Sequence, residues 1–378
     1  MAIVRRLRPP PINVDANDWA FKKWFNDVYQ WSSGGILIPA GLSSTSTASL
    51  SPLYPGRRNA LINGSFQIWQ RGTSHTSTGT TPQYTADRWA ISRASSIQVV
   101  SRQSGPPGFQ YCARIARSAA DTSTTSLFLV QALESNIATM LAGQKVTLSF
   151  WMRVGSGWDS SVDYLEAKFD MGTGTDEGPF AAHTGASNVI TAHIANPEQG
   201  GPWRFYQFTA TVPSTCTEGK VYFDWSPSST AAANNYIELA GIQLEIGERA
   251  SAFDMPVFAE ELELCQRFYQ KSFPYATTPA QNAGAAGAYT FPCTVAGASS
   301  NRVSALRLAP AMRTTPTHTF YNTNAANAFA WNFIRSTSAT ATSASGSGEG
   351  AFGMSVTGIA GWAVNDLCGV NWTADAEL

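Results

Sequence analysis

The chain has 378 residues, a formal net charge of −1 and only 13% charged side chains, about half the share usual in globular proteins. That length accommodates two or three domains with substantial cores, and 25 basic against 26 acidic residues leave no field of the kind that holds nucleic acid. No segment approaches the ~20 apolar residues of a membrane span, and the opening MAIVRRLRPPPINVDAND lacks the apolar run of a secretory signal, so synthesis in a cytoplasm without membrane insertion is expected.

Residues 1–14 read as an extended basic arm, because Pro9, Pro10 and Pro11 favour polyproline conformation and forbid helix. Residues 15–32 are predicted to form a short helix capped by Asp15 or Asn17. Phe21, Phe25 and Val28 fall on one face, and Trp24 and Trp31 are seven apart. With Trp19, these residues give more aromatic surface than four turns need, which points to docking on a larger assembly. Residues 33–56 are rich in Ser, Thr, Gly and Pro and read as a linker. Residues 1–58 carry seven basic against three acidic residues, so the basic excess sits at this end.

Residues 57–257 are predicted to be an all-β sandwich. The stretch KVTLSFWMRV alternates, with Val146, Leu148, Phe150 and Met152 on one side and Trp151 and Arg153 on the other. WRFYQFTATV, KVYFDWSP, DRWAISRA, IQVVSRQ, QYCARIAR and NNYIELAGIQLEIG also read as strands, and seven or more short strands between turn signals indicate two packed sheets. Residues 258–271 read as a bridging helix with Phe258, Leu262, Cys265 and Tyr269 as its apolar stripe and early acidic residues matching the helix dipole. Residues 272–378 return to β character, closing on AFGMSVTGIAG and CGVNWTADAEL.

Catalytic and metal signatures are missing. Nucleotide loops, nucleophile elbows and helical His pairs do not occur, and His75, His183, His193 and His318 stand far apart. The five cysteines, Cys112, Cys216, Cys265, Cys293 and Cys368, show no metal-ligand spacing and read as buried reduced thiols. Carboxylates that could pair for glycoside hydrolysis are Asp159 with Asp163, Asp176 with Glu177, and Asp224 beside aromatics. Trp151, Tyr222 and Trp225 are the candidates for stacking on a sugar ring, with Trp151 and Tyr222 opposite the apolar rows of their strands. The chain is expected not to be an enzyme and to need no cofactor.

The stretch NALINGSFQIWQRGTS, with its outward-looking Trp69, Gln70 and Arg71, followed by YTADRWAI, resembles the start of a β-sandwich domain of bacteriophage tail-fibre and related virion proteins. IELAGIQLEIGERASAFDMPVFAEELELCQRFYQKS, APAMRTTPTHTFYN and NWTADAEL continue the resemblance from residue 59 to the end. It implies a virion protein that attaches through residues 1–56 and contacts other virion proteins there. It also implies a homotrimer whose β domains meet a host-surface glycan. In that resemblance Trp69, Arg88 and Trp89 belong to the framework. NGSF and IQLEIG are also similar to jelly-roll carbohydrate-binding modules, which implies a structural Ca²⁺ at Asn63, Ser65 and Glu245, a set with one carboxylate. A head fibre, decoration or adaptor protein without receptor binding and a polysaccharide depolymerase remain as alternatives.

Overall fold

The computed structural model describes residues 57–77, 83–91 and 97–378, together with strands β1 (Tyr29–Trp31) and β2 (Leu37–Pro39). The chain divides into two compact units, residues 1–50 and 51–378. In the first, β1 and β2 pair antiparallel, with Gln30 opposite Ile38. Trp31 therefore lies in a strand, not at the end of the predicted helix, and Leu37–Pro39 lies in a strand within the predicted linker. Trp19, Phe21, Trp24, Phe25 and Val28 lie outside the described residues.

The second unit is mainly β. Its sandwich strands are β3 (Ser74–Thr76), β4 (Gln83–Tyr84), β5 (Ala90–Ile91), β6 (Gln98–Ser104), β7 (Tyr111–Arg117), β8 (Leu127–Leu133), β9 (Lys145–Val154), β10 (Tyr164–Gly172), β11 (Ser187–Ala195), β12 (Arg204–Thr211), β13 (Glu218–Trp225) and β14 (Tyr236–Ile246). One sheet runs β11-β10-β13-β8-β5-β4 and the other β12-β9-β14-β7-β6-β3. Every ladder in them is antiparallel. Period-two alternation sends Val146, Leu148, Phe150, Met152 and Val154 of β9 and Val221, Phe223 and Trp225 of β13 into one shared core. Phe150 meets Phe223 edge-on across the two layers, with ring centroids 4.8 Å apart. Each such ring adds about 2–3 kcal/mol by leaving water.

The bridging helix is observed as α2 (Phe258–Gln266), after the short α1 (Ser135–Leu141). It buries only part of the predicted stripe: Cys265 and Tyr269 are inside and Leu262 is half-buried. Phe258 is exposed, whereas Glu261 and Cys265 are buried with Phe268 beyond the helix end. Glu261 is inside because its carboxylate accepts the Asn63 amide N–H and lies 3.8 Å from Arg57. The chain then turns directly into β15 (Tyr269–Lys271), which pairs with Thr373–Asp375 of β23 (Leu367–Asp375).

The remaining strands are β16 (Tyr289–Pro292), β17 (Ser300–Arg307), β18 (Thr317–Tyr321), β19 (Trp331–Asn332), β20 (Thr337–Ser338), β21 (Ala341–Ser345) and β22 (Ala351–Thr357). β23 is the spine, pairing with β15, β16, β18 and β19, while β17, β22 and β21 form a separate ladder. These strands enclose a second core, which includes Phe291, Phe320, Phe352, Met354, Trp362, Cys368 and Trp372.

Candidate functional site

Three segments singled out in the sequence meet between the two cores. The NGSF turn places Asn63 (φ 59°) and Phe66 (φ 56°) in the left-handed region. Gly64 is required there, since a Cβ would lie 2.1 Å from the Ile242 carbonyl oxygen of β14. The Asn63 side-chain amide donates to the Ile68 and Asp87 carbonyls at 2.9 and 3.0 Å. Trp69, Gln70, Arg88 and Trp89 are all buried, which corrects the outward reading of the Trp69–Arg71 run. Gln70 is bound to Asp87 and to the Tyr269 carbonyl. Arg71 lies 3.7 Å over the Tyr269 ring and reaches Asp375 at 3.1 Å and Glu377 at 3.2 Å. Arg88 packs 3.6 Å over Phe268, pairs with Glu377 and donates to the Ala132 carbonyl. The guanidinium groups thus stack on Tyr and Phe rings of the segment that follows α2. Burial raises the Glu377 carboxyl, with Arg88 and Arg71 opposing it. Burial also pulls Lys271 down to about 8, although its ammonium donates to three carbonyls of Gln70, Tyr275 and Thr277. These residues join the sandwich to the C-terminal strands, and Arg71, Tyr269 and Asp375 also line open clefts there.

The metal candidates do not form a set. Glu245 accepts from Gln243 and from the Ser251 amide and hydroxyl, while the Asn63 side chain is engaged at the NGSF turn. Ser65 is buried. Among the described residues no group of three or more His, Cys, Asp or Glu is placed to hold a metal ion.

The sugar-stacking candidates fall in three different places. Trp225 is 2% exposed and belongs to the sandwich core, which removes it as a contact. It shares parity with Val221 and Phe223, so the alternation of β13 turns it inward. Trp151 lies on the outer face of the β9 sheet, 5.4 Å from Phe205. On that face Glu238 is fully buried between Arg114 and Arg153, and Arg114 lies 3.9 Å over Tyr236. Trp203 lies beside Arg153, and Trp158 is buried in the core.

Tyr222 lies on the outer face of the other sheet, so Tyr222 and Trp151 cannot line one platform. Register aligns Phe128, Asp224, Glu166 and His193 across one row and Val130, Tyr222, Lys168 and Thr191 across the next. A cleft of about 200 Å³ opens there, lined by Phe128, Val130, Asp170, Pro179, Phe180, Lys220 and Tyr222. Phe180 meets Phe128 edge-on at 6.4 Å. The Tyr222 hydroxyl donates to Asp170 at 2.8 Å, and burial together with that bond raises its pKa. Lys168 pairs with Glu166 and lies 3.9 Å from Asp224. Burial pushes Asp224 up to about 7, with Lys168 opposing and Glu166 adding to the rise. Asp170 is also raised by burial. Asp170 Oδ1 and Asp224 Oδ1 are buried and accept no hydrogen bond among the described residues, unusual for buried polar atoms. His193 stacks on Tyr164 at 4.0 Å and contacts Glu166 at 2.9 Å.

Of the other carboxylate candidates, Asp163 is an exposed bend residue (φ 57°), and Asp159, Asp176 and Glu177 are engaged in structure. Asp159 accepts from Ser228, Ser229, Asn235 and Arg117. Asp176 accepts from the Ser135 amide and from Arg313, and Glu177 from Thr184. The cleft residues Phe128, Asp170 and Phe180, and Glu166 and Lys168 on the same face, do not stand out in the sequence. The signal that could have found them is in YLEAKFDMG, where Glu166, Lys168 and Asp170 alternate with Leu165, Ala167 and Phe169.

No family model and no curated protein matches the chain. Solved structures similar to it include the enzymatically active domain of tailspike protein 4 of bacteriophage CBA120, at 14% identity and TM-score 0.30 over 50% of this chain. The chain spans 21% of that protein's length. A CBM4 module is 14% identical with TM-score 0.30, covering 49% of this chain and 98% of its own. The CBM22-1 xylan-binding domain from Paenibacillus barcinonensis Xyn10C is 13% identical with TM-score 0.29, covering 48% and 99%.

Proposed function

We propose that this chain is a structural component of a bacteriophage virion, a homotrimeric tail fibre or spike that attaches through residues 1–56 and presents its sandwich to a host-surface glycan. The observation that carries the adhesive part is the cleft on the Tyr222 face. It combines apolar rings of Phe128, Phe180 and Tyr222 with the carboxylate of Asp170, whose Oδ1 lacks a donor among the described residues, and Asp224 stands in the adjoining row of the same face. A sugar offers C–H faces to rings and hydroxyl donors to carboxylates, and sites of this kind pair apolar walls with a few polar groups. The protein acts by binding and catalyses no reaction. The virion assignment draws on the residues that carry the fibre resemblance, which meet in the Arg71–Arg88–Glu377 junction and lock the sandwich to the C-terminal strands.

A depolymerase is the second reading, favoured by Asp224, a carboxyl half-protonated near neutral pH in the manner of a general acid. Asp224 and Glu166 converge on the single Lys168 ammonium, whereas glycoside hydrolysis places its carboxylates about 5–10 Å apart across a bond. Screening the full chain on an array of bacterial surface polysaccharides, with chain-length analysis of any that bind, tests both readings. Binding without shortening is expected. Shortening that disappears in Asp224→Asn would establish the enzyme, and no retention on any polysaccharide would remove the adhesive role. Antibody labelling of intact particles tests the virion assignment.

A further inference from the structure

Five thiols are buried in this protein, and they are not equivalent. Cys112 Sγ lies near the Ser104 carbonyl, and Cys216 Sγ near the carbonyls of Ala138 and Glu218. Cys293 and Cys368 instead face each other, Sγ to Sγ at 3.1 Å, in the core of the C-terminal strands. Their placement follows from register. Phe291 of β16 stands opposite Cys368 of β23, and the Cys293 amide donates to the Asp366 carbonyl. Cys293 is thus the diagonal neighbour of Cys368 on one face of an antiparallel pair, where side chains come within contact.

We infer that Cys293 and Cys368 are a modification site, a dithiol that closes to an intramolecular disulfide when the protein meets a disulfide oxidant such as oxidised glutathione. A Cys293 thiolate attacks one sulfur of oxidised glutathione, forming a mixed disulfide and expelling a glutathione thiolate. The Cys368 thiolate then attacks the Cys293 sulfur, forming the protein disulfide and expelling the second glutathione thiolate. The two protons lost by the cysteines go to the two leaving thiolates, so two protein thiols are oxidised and one glutathione disulfide is reduced. Cys293 reacts first because it follows β16, whose described ladder is to β23, while Cys368 is paired on both sides, with Phe291 of β16 and Asn332 of β19. Both sulfurs are buried and burial raises both thiols, so the rate follows the opening of β16. In a reducing cytoplasm the pair stays reduced, and it closes outside one. The bond would tie residues 75 positions apart, a loop long enough to restrict the unfolded chain strongly.

The test uses the full chain, purified under reductant, then exposed to oxidised glutathione at pH 8 with and without a low urea concentration that loosens edges. Denaturing alkylation and intact mass count the thiols, and peptide mapping locates any bond. The expected result is three alkylated cysteines, a Cys293–Cys368 linked peptide, a melting temperature several degrees higher, and reversal by dithiothreitol. Cys112→Ser should leave the linked peptide in place, and Cys293→Ser should abolish it. Five alkylated cysteines after oxidation in urea would overturn the inference. So would glutathione carried separately on Cys293 and Cys368, or a linked pair involving another cysteine.

Discussion

The two outer faces of the sandwich arrange similar residues in different ways. On the β9 face, Glu238 is held by Arg114 and Arg153, and the two guanidinium groups lie against Tyr236 and Trp203. Charge is settled within the face, and each aromatic is already in contact with a neighbour. On the β13 face, two carboxylates share one lysine, two buried oxygens accept nothing, and a Pro-Phe loop stands over an open cleft. A saturated polar network stiffens a sheet, while an under-satisfied one leaves acceptors for a ligand. In the proposed reading, the satisfaction of the charges, and not the presence of aromatics beside them, separates the adhesive face from the structural one.

The comparison can be broken first at Glu238. Replacing it with Ala leaves two guanidinium groups without their shared partner, and because Glu238 is fully buried, a loss of about 3 kcal/mol is expected. Urea unfolding would read this, and a loss under about 1 kcal/mol would mean that the β9 face is not held by its charge. Asp224→Asn sharpens the contrast in the opposite direction. The folded-state pKa is raised from 3.8 to about 7, so the native state disfavours the ionised form. That penalty is absent below about pH 4, grows as pH rises through 7, and is complete above it. The shift corresponds to about 4 kcal/mol at pH 8, and because Asn keeps part of the cost of burying a polar group and loses the Lys168 ammonium as a partner, the substitution should stabilise the protein by about 1–2 kcal/mol there and change nothing at pH 4. Equal effects at both pH values would show that folding does not raise the Asp224 carboxyl. The smallest effect is expected from Phe205→Ala on the β9 face. Its ring is 44% exposed, so thermal melting should show less than about 1 kcal/mol of change.

Alternation makes the sandwich readable. KVTLSFWMRV reads as a strand and is β9 over its whole length, and QYCARIAR and NNYIELAGIQLEIG contain β7 and β14. β8, with the sequence LFLVQAL, is not legible in the same way. It is buried at nearly every position, so it carries no period-two signature that separates it from a buried helix. The site is less legible than the fold. Parity on β13 places Tyr222 outward, and the same parity applied to Trp225 places it inward. Arg71 and Arg88 read as surface or framework charges, and only the fold reveals their partners, Asp375 and Glu377, which lie 304 and 289 positions away along the chain. No local pattern encodes pairing at that distance.

The most direct measurement of the difference between the faces is titration calorimetry with the best polysaccharide from the array, on Tyr222→Ala and Trp151→Ala proteins of matched melting temperature. A loss of affinity of about tenfold or more in Tyr222→Ala, with Trp151→Ala within twofold of wild type, is the predicted result. Loss of affinity in Trp151→Ala with Tyr222→Ala unchanged would contradict it, and would move the adhesive surface to the opposite side of the sandwich.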